Sequence, residues 1–181
     1  KKMLLRPEII HGKAARLVKR YQTRDTLRIA EGLGIYLRFV DGLEKLLGMY
    51  IYQHKERHIL LNNGMEDLVT QMVCGHEIGH DVLHREQAKV GMGLQEFTLF
   101  DIRNEMEYEA NAFAAHLRIG DEELIELLRG GYDVVQISST LGTNVNLTLI
   151  KLNELNRMGW KLDLPYLPKA DFLKNLSLDG F

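Results

Sequence analysis

His76-Glu77-Ile78-Gly79-His80 lies within residues 65–86, where recurring apolar positions predict one helix of several turns. Residues four apart on a helix project from the same face, with roughly 5–6 Å between their Cβ atoms. Both imidazoles can therefore bind one metal ion, while the Glu77 carboxylate lies beside His76 and can take a proton from a water molecule. The pattern is typical of a zinc hydrolase in which His76 and His80 are ligands and Glu77 is the catalytic base.

Two simpler explanations compete with a metal site. A chain with 7 histidines contains this five-residue pattern by chance with a frequency of roughly 0.02, a risk that every short motif carries. Histidines on a half-buried helix can also be ordinary core residues with hydrogen-bond partners. A glutamate buried beside them would be costly without a partner of its own, however, and a metal ion supplies one. The metal site is therefore the favoured interpretation.

A third protein ligand is needed, because a catalytic zinc site has three protein ligands and one position for water. Residues 104–119 form a second predicted helix, which carries Glu105, Glu107 and Glu109. At about 100° per residue, Glu107 and Glu109 flank its apolar stripe on opposite sides, and Glu105 lies farther round. The stripe consists of Met106, Ala110, Phe113 and Leu117. Helical phase disfavours Glu105 but does not separate the other two, and all three could form a solvated acidic face.

The two motifs together resemble a known family. The first helix continues with Val82-Leu83-His84, and the second contains Glu107-Tyr108-Glu109-Ala110-Asn111-Ala112-Phe113-Ala114-Ala115. This pair of motifs is similar to that of the ImmA/IrrE family of metallo-endopeptidases. The resemblance implies a compact, gluzincin-like zinc peptidase in which Glu107 completes the metal site.

The resemblance also suggests roles for residues around the metal. Asn111 takes the place where many gluzincins keep an aspartate, so its side-chain oxygen is expected to bind the second nitrogen of a ligand histidine. His84 resembles a histidine of the family, which suggests a place at the rim of the pocket or against a ligand, since three ligands from one straight helix cannot surround one ion. The alternative is an ordinary surface histidine. Ala110 and Ala114 lie on the Glu107 flank, where small side chains permit a close approach to the first helix.

The rest of the chain predicts an α+β fold that is mostly helical, with a small three-stranded antiparallel sheet packed on the helix of residues 65–86. Runs of branched and aromatic residues predict the strands, and a polar turn at Lys55-Glu56-Arg57 predicts a hairpin between the last two. The strands are predicted at 35–40, 49–52 and 58–61, and the further helices at 7–22, 26–31, 121–129, 133–141 and 146–158. Residues 87–103 lack a sustained period and are predicted as a long loop that could contain a short strand at 97–100.

The predicted domain organisation has two parts. Residues 1–120 form the zinc metallopeptidase core, and residues 121–181 form a C-terminal helical extension with an extended tail, packed on the core. The helix pair at 133–158 has the cadence of a helix-turn-helix. Its second helix offers only Lys151 and Arg157 as cations, against Glu154, which argues against direct binding of nucleic acid.

Composition and charge agree with these predictions. The chain has 181 residues, of which 45% are hydrophobic and 27% charged, and these values exclude a disordered or membrane-spanning protein. A formal net charge of -2 provides no overall positive field for nucleic acid. Cys74 is the single cysteine and cannot form an intramolecular disulfide, and Lys1 to Gln22 carries basic residues throughout rather than an apolar signal, so we expect a cytoplasmic protein without a membrane partner.

These features predict a zinc-dependent endopeptidase. Family members encoded on phages and conjugative elements cleave a partner repressor, so the resemblance implies that the substrate is a helix-turn-helix repressor or another regulatory protein of a phage or mobile genetic element. The hairpin offers an edge for an extended substrate. The oxyanion donor is left open among Tyr50, Tyr52, His54, His84 and Tyr132. The alternative is a non-catalytic regulator whose zinc site is structural and whose helices 133–158 bind DNA or protein.

Overall fold

The helices and strands were assigned in a computed structural model, which describes residues 4–43, 46–89 and 100–162, with only the backbone described for 100–104. The first half contains α1 (Pro7–Tyr21), α2 (Thr26–Gly32), β1 (Tyr36–Val40), β2 (Gly48–Gln53) and β3 (Glu56–Asn62). The second half contains α3 (Asp67–Leu83), α4 (Arg85–Lys89), α5 (Phe100–Arg118), α6 (Asp121–Arg129), α7 (Val134–Thr140) and α8 (Val145–Arg157). No helix within these ranges combines the length and the apolar character needed to cross a bilayer.

The sheet has three strands in the order β1-β3-β2. The predicted hairpin is confirmed, because β2 and β3 pair antiparallel with Tyr50 opposite Ile59. His54 and Lys55 make its turn with φ values of 52° and 66°, as tight hairpin turns require. The prediction of an all-antiparallel sheet is wrong, because β1 pairs with β3 in parallel and the sheet is mixed.

The mixed sheet follows from the strand order, in which β3 lies between β1 and β2. Since β3 is parallel to β1 and antiparallel to β2, the two outer strands run in opposite directions. The strand pattern of the sequence indicates which residues are extended, but it does not indicate which strand pairs with which. β2 is consequently an edge strand, and it packs against α3.

α3 is the central helix of the fold. All residues from Val69 to Asp81 except Gln71 are buried, because α3 is covered by α2, α5 and the sheet. It ends earlier than predicted, at Leu83, where His84 leaves the helical region with φ -125°. The short α4 follows, so part of the predicted loop 87–103 is helical, and α5 begins at Phe100 rather than at residue 104. Residues 97–99 of the proposed short strand at 97–100 lie outside the described residues. Its last residue, Phe100, is helical.

α3 and α5 approach each other closely through small residues. A Cβ atom on Gly79 would lie 2.9 Å from the Ala110 Cα atom and 3.0 Å from its carbonyl oxygen. A Cβ atom on Gly75 would lie 3.5 Å from the Ala114 Cβ atom. Gly79 therefore has no room for a side chain, and Ala110 and Ala114 allow α5 to lie against the helix that carries both motif histidines.

Replacing Gly79 with alanine is expected to destabilise the metal-free protein by about 1–3 kcal/mol, because the added methyl group meets the α5 backbone. Gly12→Ala is the matched control. Nothing lies within 4 Å of a Cβ atom at Gly12, so a helical alanine there should stabilise by about 0.5–1 kcal/mol. Urea unfolding of the two variants measures both effects, and equal shifts of the same sign would contradict the close helix packing.

The C-terminal helices share the core with the N-terminal part. α8 packs against α5, and its buried residues include Leu147, Ile150 and Leu155. The helix-turn-helix cadence is thus a pair of packed helices in which α8 is largely inaccessible. The described part of the C-terminal extension shares one hydrophobic core with α3 and α5. The predicted division of the chain into two parts at residue 120 stays a prediction. The tail beyond Leu162 lies outside the described residues.

Candidate metal centre

Three donor groups from α3 and α5 converge beside the sheet. The Nε2 atoms of His76 and His80 are 3.0 Å apart. Glu107 places Oε2 at 3.5 Å from the His76 Nε2 atom and Oε1 at 3.7 Å from that of His80. In a tetrahedral zinc site the donor atoms are about 3.3 Å from one another. Two imidazoles and one carboxylate at these separations can hold one metal ion and leave a fourth position for water.

Asn111 orients the first histidine. Its Oδ1 atom lies 2.8 Å from the His76 Nδ1 atom, and both residues are buried. Because an amide oxygen only accepts hydrogen bonds, the Nδ1 atom donates and the Nε2 atom of neutral His76 keeps its lone pair. That lone pair is directed toward Glu107 and His80, as metal binding requires.

A longer chain of hydrogen bonds orients the second histidine. The Leu5 backbone N–H donates to Glu109 Oε1 at 2.7 Å, and Glu109 Oε2 accepts from His84 Nε2 at 2.9 Å. In the tautomer that donates to Glu109 through Nε2, His84 offers Nδ1 as an acceptor, and this atom lies 3.1 Å from His80 Nδ1. His80 therefore donates through Nδ1 and keeps the lone pair on Nε2. Both histidines present the nitrogen that a metal ion needs.

The three glutamates of α5 occupy different environments. Glu107 faces both motif histidines, whereas Glu109 has both oxygens engaged by His84 and Leu5. Glu105 is half-buried and does not join either group. Helical phase did not distinguish Glu107 from Glu109 as the third ligand, and the sequence analysis did not predict that Glu109 is the partner of His84. A spacing of 25 residues between them offers no local signal.

Glu77 is buried beside the three donors, with 6% of its surface exposed. Burial, together with the charge of the Glu107 carboxylate, raises the pKa of Glu77 to about 7, although His76 and the backbone N–H of Tyr50 act in the opposite direction. A divalent cation at the donors would lower the pKa again, because an opposite charge favours the ionised carboxylate. Glu77 is thus placed as a proton acceptor next to the metal position.

The donors also attract positive charge. Burial lowers the pKa of His76, but the hydrogen bond to Glu107 and the charges of Glu77 and Glu107 outweigh burial, so the pKa of His76 is raised overall. A cluster that stabilises a proton on a buried imidazole has a negative potential at that place. A metal cation satisfies this potential without protonating the ligands.

The outer edge of β2 lies next to Glu77. Asn62 N–H donates to the Leu47 carbonyl at 2.9 Å, and hydrogen-bonded pairs alternate along an antiparallel ladder. The peptide groups of Tyr50 and Tyr52 therefore point away from β3, in agreement with the hydrogen bond from the Tyr50 backbone to Glu77. The outer edge of β2 therefore runs beside Glu77, with the Tyr50 N–H bonded to its carboxylate.

Asp81 fixes this edge and was not identified from the sequence. It is 1% exposed and accepts from the Tyr50 hydroxyl at 2.7 Å, and it forms ion pairs with Arg57 at 3.2 Å and Arg85 at 2.8 Å. The spacing of Asp81 and Arg85 by four residues was the available signal. Two of the five candidate oxyanion donors are thus engaged in the fold, since Tyr50 binds Asp81 and His84 binds His80 and Glu109.

The described residues contain a second group that could offer metal ligands, namely His11, His116 and Asp121. The ammonium group of Lys151 already lies among them, 2.9 Å from His116 Nδ1 and hydrogen-bonded to Asp121. Burial, together with the charge of Lys151, lowers the pKa of His116 to about 4 although Glu154 acts in the opposite direction, so this histidine is neutral. A cation position is therefore filled by the chain itself.

The donor set joins a histidine pair of α3 to a glutamate of α5, a combination typical of metallopeptidases. Residues 30–153 match the IrrE N-terminal-like domain of peptidase family M78, and the chain belongs to this ImmA/IrrE family of metallopeptidases. The resemblance seen in the sequence is thereby confirmed. The chain is also 28% identical over 148 residues to "uncharacterized immunity region protein 2" of Bacillus phage phi105, an alignment that covers 81% of this chain and 92% of the phage protein.

Proposed function

We propose that this chain is a cytoplasmic, zinc-dependent endopeptidase that cleaves a repressor or another regulatory protein of a phage or mobile genetic element. The observation that carries the proposal is the convergence of His76 Nε2, His80 Nε2 and a Glu107 oxygen at separations of 3.0–3.7 Å. Family membership supports a metallopeptidase, and the donor set of two imidazoles and one carboxylate favours zinc.

Each residue of the site has a role in the proposed reaction. His76, His80 and Glu107 hold the zinc ion, while Asn111 and His84 keep the two imidazoles in the correct tautomer. The zinc ion, when bound, supplies Lewis acidity to the scissile carbonyl and to the attacking water.

Glu77 performs the proton transfers. Its carboxylate accepts the proton of the attacking water and then donates it to the nitrogen of the leaving amine. The edge of β2 holds the substrate backbone extended beside this carboxylate. Water attack and amine departure thus occur on the side of the metal position that Glu77 faces.

The proposed substrate class rests on the phage relative and on the family resemblance. A protein of a phage immunity region that shares 28% identity over most of both chains is a reason to expect a regulator of the same genetic element as substrate. The cytoplasmic location is supported by the buried, unpaired Cys74, since reduced cysteines are typical of that compartment.

Incubation of the purified chain with candidate repressor proteins tests the function. We expect discrete cleavage products that disappear with a chelator and return when zinc is added back. Cleavage that continues in the chelator, or an intact repressor in the presence of stoichiometric zinc, would contradict the proposal. The products are identified by mass spectrometry, which also gives the cleaved bond.

The alternative is a non-catalytic regulator with a structural zinc site. Its strongest form uses α8 to read DNA, but eight residues of α8 are buried, Lys151 among them, and a recognition helix must be exposed to enter the major groove. We therefore propose that the chain binds a protein substrate and does not bind nucleic acid directly. The same incubation separates the two functions, because the regulator would bind the repressor without cleaving it.

A further inference from the structure

A groove of about 570 Å³ lies between α1 and the C-terminal end of α3. Its lining consists of Lys13, Arg16, Leu17, Lys19, Arg20 and Val82. The cations at positions 13, 16 and 20 recur at helical spacing on one side of α1. The groove is thus lined by four cationic and two aliphatic side chains, and its lining contains no carboxylate.

The four cations have no ion-pair partner within the described residues. Lys13 donates to the Val82 carbonyl at 3.2 Å, and Arg20 lies over the Tyr21 ring at 5.3 Å. Neither contact neutralises a charge, and Arg16, Lys19 and Arg20 are exposed. A face with four uncompensated positive charges on a chain whose net charge is -2 is complementary to an anionic partner.

The groove is separate from the metal centre but shares its helix. Val82 lies two residues after His80, about 200° round the axis of α3, so it faces away from the three donors. A partner in the groove would leave the outer edge of β2 open. The groove therefore has the position of a docking site outside the cleft in which a peptide bond would be cleaved.

We propose that this groove binds an acidic segment with apolar side chains in the protein that the chain cleaves. The assignment rests on the proposed function, and it adds to that function the chemistry by which the substrate is selected. An acidic peptide and a nucleic acid could both supply the negative charge. Leu17 and Val82 favour the peptide, because a peptide has apolar side chains that can contact them and a phosphodiester backbone does not. Carboxylates of the same segment meet the cations on α1.

A binding assay with defined peptides tests the groove without any cleavage. The probe is a fluorescein-labelled 12-residue peptide of glutamate and leucine, titrated into the metal-free full chain at low salt and followed by anisotropy. We expect saturable binding that Arg16→Glu/Arg20→Glu weakens at least about tenfold. Arg38→Glu/Arg129→Glu is the matched control, because it changes two exposed arginines elsewhere by the same charge and should bind as the parent does.

Several results would overturn the proposal. Equal weakening by both double variants would mean a general charge effect, and equal binding of a glutamine and leucine peptide would remove the requirement for carboxylates. A 12-bp DNA duplex that displaces the peptide at lower concentration would assign the groove to nucleic acid. Self-association of the parent that Arg16→Glu/Arg20→Glu abolishes would assign it to a second copy.

The kinetics of repressor cleavage then test whether the groove contributes to substrate binding. Arg16→Glu/Arg20→Glu should raise the KM for the repressor at least about tenfold and leave kcat within about twofold, because the variant changes docking and leaves the metal centre intact. An unchanged KM would contradict the docking role. Peptide binding without any cleavage would instead contradict the peptidase function alone, so the two failures are distinguishable.

Discussion

Glu77→Gln is expected to retain one zinc ion per chain and to lose peptide cleavage by about 10²- to 10⁴-fold. A glutamine fills nearly the same volume, and its amide oxygen can still accept the hydrogen bond from the Tyr50 backbone, so the buried site should remain folded. The amide cannot take a proton from water, however, and the reaction loses its base. Zinc analysis and initial rates of repressor cleavage on the same preparation measure both properties.

Glu105→Gln is the control for this experiment. Glu105 is half-buried on α5 and lies outside the donor cluster, so the same chemical change there should leave the rate near that of the parent. If Glu77→Gln cleaves at the parental rate while it holds zinc, Glu77 is not the base.

Glu107→Ala is expected to lower zinc affinity more than about 100-fold, because it removes the third donor from beside the two histidines. Asn111→Ala should lower the affinity by about 10- to 100-fold, since His76 loses the partner that fixes its tautomer. Asn111→Asp keeps an oxygen acceptor at the same place and should bind zinc at least as well as the parent. Zinc retained after dialysis against a zinc buffer measures all three.

Glu109→Ala is the discriminating variant in this series. Glu109 contacts His84, which in turn contacts His80, so the loss of Glu109 should leave zinc content near the parental level. Glu109 also accepts a hydrogen bond from the Leu5 backbone, so its loss can lower the stability of the fold. Urea unfolding in the absence of metal measures this loss of stability separately from zinc binding. Metal lost from the Glu109 variant and kept by the Glu107 variant would reverse the assignment of the third ligand.

The helices that carry the site were predictable from the sequence because their signals are local. The spacing of His76 and His80 and the apolar stripe of α5 each depend on one helix period. The choice between Glu107 and Glu109 could not be made in the same way, because both flank the stripe. It depends on how α5 lies against α3, which Gly79 and Ala110 determine by their contact.

The pairing of the strands could not be predicted from the sequence for a related reason. Residues of β1, β2 and β3 have the composition of strands, but the insertion of β3 between the other two is a property of the whole fold. The same holds for the contact between His84, which follows the end of α3, and Glu109 on α5, because these two residues are 25 positions apart along the chain. Local periodicity predicts elements, and tertiary packing decides their partners.

The position of the zinc ion is the most direct test of the account. A crystal of Glu77→Gln grown with one equivalent of zinc, measured at the zinc absorption edge, locates the ion by its anomalous signal. We expect one peak about 2.0–2.2 Å from His76 Nε2, His80 Nε2 and a Glu107 oxygen. A peak bonded to Glu109, a peak among His11, His116 and Asp121, or no peak in a crystal of zinc-loaded protein would contradict it.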